Sequence, residues 1–156
     1  MEEFKQFIPQ GFCITCPGCC RFAEKESSWV PHLLEEECQR IAPVSRAIQL
    51  VDNKGQGNFS CQFLDVANNK CKTYPHRPFE CKLYPFVINR LGKKVYLAID
   101  LKCPYMKKNV ILQDYKNYVE YLTAFFNNPL NLKIIKANPQ IIQSYSDVLD
   151  IFEIRL

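Results

Sequence analysis

No apolar run in this 156-residue chain approaches the about 20 residues needed to cross a bilayer. The start, Met1 to Pro9, is acidic and too short in its apolar part for a secretory signal, so the expectation is a cytoplasmic protein without a membrane role. No Ser/His/Asp constellation, phosphate-cradling glycine loop or HExxH is found, and nothing marks the chain as an enzyme by itself. Internal repeats and low-complexity linkers are missing too, which favours a single domain over 1–156. With 47% hydrophobic and 23% charged residues, the composition excludes disorder and supports a modest core.

Against this plain background stand nine cysteines. In a reducing compartment such density points to metal binding or catalysis rather than disulfides, and the odd count opposes a closed disulfide framework. Cys13, Cys16, Cys19 and Cys20 fall within eight residues, C-I-T-C-P-G-C-C, and Cys61, Cys71, Cys81 and Cys103 follow at wider intervals. Those eight are the candidate metal ligands. Cys38 shares a helical face with Leu33, Leu34 and Ile41 and reads as a core residue.

The formal charge of +4 does not argue for nucleic acid. A metal-bound thiol is deprotonated, and eight thiolates around two doubly charged centres would bring the loaded protein to neutrality.

The expected fold class is α+β: a small cysteine-cluster domain of short strands, a hairpin and several helices around a metal site. Its core would span 11–105, with a mainly helical extension over 106–156. Phe4, Phe7, Ile8 and Phe12 are available to pack on the domain. Pro17-Gly18 breaks the backbone, and a short helix is expected from Cys19, its first-turn amides facing the site. A helix is predicted over 32–42, with His32 at the surface or capping its start. A strand is expected over 47–51, a turn over 52–58, an extended piece over 59–64 and a second turn at 67–69. Strands over 84–90 and 95–101 form a hairpin about Leu91-Gly92-Lys93-Lys94. The stripe Val110, Tyr115, Tyr118, Val119, Leu122, Phe125, Phe126 predicts one helix over 105–126. Asn138-Pro139 predicts another to about 145, and 148–156 fits helix, strand or a partner-facing tail.

Adjacent cysteines carry the most information. Neighbouring side chains diverge on a helix and oppose one another on a strand, so Cys19 and Cys20 suit two centres, or two irons of one cluster, better than one tetrahedral ion. Structural zinc usually pairs two C-x₂₋₄-C knuckles. Here Cys61, Cys71, Cys81 and Cys103 are singletons separated by 9, 9 and 21 residues. C-x₂-C-x₂-C with a later Cys-Pro is the iron–sulfur pattern, met by Cys13, Cys16, Cys19 and Cys103-Pro104, with Cys20 as the departure.

These residues occur in order with Phe63, Leu64, Asp65, Tyr74, Arg77, Pro78 and Tyr84-Pro85. The whole pattern resembles the CxxCxxCC cysteine-cluster family, the YkgJ-like proteins, over roughly residues 11–105. The resemblance implies a zinc- or iron-chelating domain and says little about activity.

The expected cofactor is an iron–sulfur cluster of [4Fe-4S] type, with Zn²⁺ as the alternative. Arg77 reads either as a hydrogen-bond donor to the cofactor or as a surface residue paired with Asp65 or Glu80. Asp65 reads as a turn former, and His76 as a minor candidate zinc ligand. The leading function is electron transfer, or a cluster-bearing accessory role, beside a redox or accessory protein partner. The alternatives are a structural zinc scaffold for a protein partner and a metal-dependent group-transfer enzyme. The oligomeric state is left open.

Overall fold

In the computed structural model, which describes residues 4–16, 18–41, 46–53, 58–109 and 112–156, the architecture is α+β. The chain gathers into two compact units, one of Ile8–Cys81 and one of Met1–Phe7 with Lys82–Leu156.

The cysteine-rich unit is built from very short elements. They are α1 (Gln10–Cys13), β1 (Arg21–Phe22), α2 (Glu35–Ile41), β2 (Leu50–Asp52), β3 (Phe59–Cys61), β4 (Leu64–Asp65) and β5 (Lys70–Cys71). A 3₁₀ turn, Tyr74–His76, then leads into α3 (Phe79–Leu83). The strands pair antiparallel as β1-β3-β2 and as a separate β4-β5 ribbon. Phe22, Val30, Leu33 and Ile48 form one small core cluster, with Trp29, Cys38, Ile41, Phe59 and Cys61 among the residues packed around them, and Leu34, Leu64 and Phe79 are buried as well.

Several expectations need correction here. The segment from Cys19 is not a helix: Arg21 pairs with Ser60 and Phe22 with Phe59, while the Cys20 carbonyl accepts from Cys61 N at 3.0 Å. No helix-start amides therefore face the cysteines from this segment. The helix expected from 32 begins at Glu35, because His32 bridges Ala47 and Leu33 N donates to the Arg46 carbonyl. His32 is thus neither a cap nor a helical residue, and Ala42 lies outside the described residues. The strand expected over 47–51 is confined to β2, since Ala47 and Ile48 bond back toward His32 and Pro31. Gln62-Phe63 turns the chain and splits the extended piece at 59–64 into β3 and β4. In the turn at 52–58, Asn53 and Asn58 bond through backbone and side chains; residues 54–57 lie outside the described residues.

The other unit is more regular. The hairpin joins β6 (Phe86–Leu91) to β7 (Lys94–Ile99) through Gly92-Lys93, with Gly92 at φ 61. A positive φ at the first turn residue is the condition glycine meets without strain in such tight hairpins. β8 (Leu149–Ile154) adds antiparallel to β7 and settles the open reading of the C-terminal segment as a strand.

The helix predicted over 105–126 is two helices, α4 (Met106–Asn109) and α5 (Gln113–Asn127), with Val110 outside the described residues. α5 buries Tyr118, Leu122, Phe125 and Phe126, the expected stripe. Phe4 stands edge-on to Phe125 at 5.0 Å, and Phe7 lies 5.0 Å from Tyr118. The Tyr118 hydroxyl donates to the Lys5 carbonyl at 2.6 Å, and Lys5 N donates to the Tyr121 oxygen at 3.1 Å. The lead-in segment is thereby fastened along α5.

The helix predicted over 139–145 is only a 3₁₀ turn, Pro139–Ile141, because Gln143 is drawn into a bridge with Asn89 of β6. The helix in this region is α6 (Pro129–Ala137), capped by Asn128, whose side chain accepts from Leu130 N at 2.9 Å. Among the described residues, no helix is long and apolar enough to cross a membrane.

Candidate metal centre

All nine cysteines are free thiols. Cys13 ends α1, where Thr15 Oγ1 bonds back to the Phe12 carbonyl at 3.0 Å and Cys16 N to the Cys13 carbonyl at 3.3 Å. The resulting tight turn carries Cys13 and Cys16. A Cβ on Gly18 would stand 3.3 Å from Cys16 Sγ, so the glycine leaves room for that sulfur. Strand pairing then holds Cys20 beside Cys61, and the β4-β5 ribbon places Cys71 opposite Leu64. α3 delivers Cys81.

Six thiols converge. Cys20 lies within electrostatic reach of Cys13, Cys19, Cys61, Cys71 and Cys81. Around it, Cys13 neighbours Cys19 and Cys71, Cys81 neighbours Cys19 and Cys61, and Cys61 neighbours Cys71.

Their proton affinities differ for physical reasons. The Cys19 thiol donates to the Cys20 sulfur, which lowers Cys20 to about 7 and raises Cys19 well above the usual thiol range. Burial pushes Cys61 up to about 11, aided by the Cys20 and Cys71 charges and opposed by the Phe63 N–H on its sulfur at 3.4 Å. Burial likewise raises Cys13, Cys71 and Cys81.

Arg77 is buried, 7% exposed, which sets aside the reading of it as a surface residue. Its Nη1 lies 3.5 Å from Cys13 Sγ, and its guanidinium carbon 3.9 Å from the centre of the Tyr74 ring. Asp65 instead accepts from the Ala67 and Asn68 amides as a turn former, and Glu80 accepts from His32 N. His76 is exposed on the 3₁₀ turn. Cys38 packs with the small core, as its helical position suggests.

Cys103 belongs to the other unit and is buried there. Asp100 accepts from Tyr84 Oη at 2.9 Å and from Lys102 N at 2.8 Å, and its carbonyl accepts from Cys103 N at 3.3 Å. Tyr84, a residue of the sequence pattern, thus fixes the turn that carries Cys103.

A family model described as "CxxCxxCC: Putative zinc- or iron-chelating domain" matches residues 12–117. The chain belongs to this family. No curated protein and no solved structure matches it. The span matched as a CxxCxxCC domain contains all eight candidate ligands.

The candidate donor set of this CxxCxxCC domain fits such a metal: it is all sulfur, the choice of zinc and of iron–sulfur centres. Among the described residues, no three His, Cys, Asp or Glu side chains stand close enough to enclose an ion. The thiols are gathered but not closed into a cage.

Sequence reasoning missed the carboxylates that brace the domain. Glu37 is buried, and its two oxygens accept from Leu34 N at 3.0 Å and Phe79 N at 2.8 Å. One side chain thus ties the starts of α2 and α3, two residues before Cys81. Burial raises its pKa against the pull of those two amides. Burial also pushes Glu80 up to about 8 and lowers His32. Their 3.9 Å approach is therefore not an ion pair near neutral pH. The firm link is the His32 amide donating to Glu80. A helix-start clamp is normally signalled by Ser or Thr three residues before Glu, and Leu34 stands there instead.

Glu37→Ala is expected to destabilise the protein by about 2–3 kcal/mol, since two buried amides lose their acceptor. Glu37→Gln should cost roughly half as much, because it keeps an acceptor for one amide without burying a charge. Urea unfolding of both variants checks the order.

Proposed function

We propose that this domain carries an iron–sulfur centre, one or two clusters of [4Fe-4S] type, on Cys13, Cys16, Cys19, Cys20, Cys61, Cys71, Cys81 and Cys103. It serves in electron transfer, or as a cluster-bearing accessory protein, beside a protein partner in the cytoplasm. The observation that carries this reading is that one unit brings Cys13, Cys19, Cys20, Cys61, Cys71 and Cys81 into electrostatic reach of one another's neighbours, with Cys20 held beside Cys61 by strand pairing. A structural zinc ion takes four ligands in a tetrahedron. Six candidate sulfurs in one unit exceed that shell and suit a polynuclear centre. The C-x₂-C-x₂-C opening and the Cys103-Pro104 pair support the same choice. Such a centre supplies one-electron chemistry, tuned by charge and hydrogen bonds at its sulfurs.

A structural zinc scaffold for a protein partner is the second reading, favoured by the small core and two- and three-residue strands of the cysteine-rich unit. Units with so little core commonly depend on a metal. Anaerobic reconstitution with iron and sulfide separates the two. The iron–sulfur reading expects broad visible thiolate-to-iron absorption that bleaches on reduction. Colourless protein that takes up zinc alone would sink it.

A further inference from the structure

Arg77 is the least explained side chain of the cysteine-rich unit. A guanidinium has five N–H donors and stays charged under all ordinary conditions. This one is buried, yet its Nε has no acceptor. A buried cation is costly unless anions face it. The thiols within its electrostatic reach are Cys13, Cys20, Cys71 and Cys81. Asp65 and Glu80, the carboxylates nearest in sequence, are engaged with backbone amides. Protonated thiols are weak acceptors, whereas metal-bound sulfurs are anionic ones. The anions that would face Arg77 thus arise when the thiols exchange protons for metal.

We propose that Arg77 is a positioning residue of the metal centre. Resting on the Tyr74 ring, it donates through Nη1 to the metal-bound Cys13 sulfur and through Nε to a second sulfur of the centre, and its charge strengthens metal binding. The inference rests on the reading of these cysteines as ligands. It goes beyond that reading by assigning to one non-ligand side chain a share of the affinity. The planar fork matters as much as the charge, because it addresses two sulfurs at once.

Cobalt(II) titration of the metal-free, full-length protein tests this, since thiolate-to-cobalt absorption reports both affinity and the electronic state of the sulfurs. Arg77→Met is expected to weaken cobalt binding about 10- to 100-fold, the usual effect of removing a group that supports metal ligands, and to shift the absorption band. Arg77→Lys should recover part of the affinity, since it keeps the charge, but not the band position. Wild-type affinity and an unshifted band in Arg77→Met would overturn the proposal. If Arg77→Met does not fold, a wild-type spectrum and affinity in Arg77→Lys overturns it equally. Wild-type protein that binds no cobalt would remove the ligand reading itself, before any variant is compared.

Discussion

Cys20→Ser is expected to abolish most metal binding, whereas Cys38→Ser keeps the wild-type metal content. Cys20 lies within electrostatic reach of Cys13, Cys19, Cys61, Cys71 and Cys81, and strand pairing holds it beside Cys61, so its loss takes a candidate ligand from the middle of the group. Its proton affinity points the same way. Hydrogen bonding from Cys19 lowers its pKa, which favours the thiolate that a metal takes as ligand. Serine offers a hard, weakly acidic oxygen in its place, a poor ligand for zinc or iron–sulfur chemistry. Cys38 packs beside Phe22, Val30, Leu33 and Ile48, and its replacement should cost a little stability and no metal. Metal content per chain, measured after identical loading, distinguishes them. Full metal in Cys20→Ser, or loss in Cys38→Ser, would reverse the assignment of ligand and core.

Removing the metal should unfold Ile8–Cys81 while the sheet of β6, β7 and β8 stays folded. Among the described residues, the first unit buries only Ile8, Phe22, Val30, Leu33, Leu34, Ile48, Leu64 and Phe79 of its large apolar side chains, and its longest strand has three residues. The second has six-residue strands, with Phe86, Leu97, Ile99, Leu122 and Phe126 buried at 1% exposure or less. Metal binding by small thiolate domains contributes about 10–16 kcal/mol in zinc-finger peptides, far more than a core of this size supplies alone. Amide hydrogen exchange on the full chain should therefore lose protection at Ser60 and Cys61 after chelation. Protection at Ile88 and Leu97 should remain. Unchanged protection at Ser60 would mean that the strands hold without metal.

How much of this was legible beforehand depended on the range of the interaction. The cysteine pattern could be read because spacing and residue type carry it. The hairpin could be read because Gly92 supplies its turn locally. The segment after Cys19 could not, since its strand conformation comes from β3, about 40 residues later in the chain. Asn128-Pro129 and Asn138-Pro139 offer the same helix-start signal, yet only the first is followed by a helix. Leu130 to Ala137 can continue one, whereas Gln143 is captured by Asn89 across the sheet. Arg77 was visible as a donor but not as a buried one. Nothing local says that Tyr74 covers it or that Glu37 braces the helix bearing Cys81.

The most direct test is elemental analysis of the anaerobically purified full-length protein for iron, zinc and acid-labile sulfide. Iron and sulfide in equal amounts, bound in multiples of one cluster per chain, are the predicted result. Stoichiometric zinc without sulfide, or a chain carrying no metal at all, would contradict it.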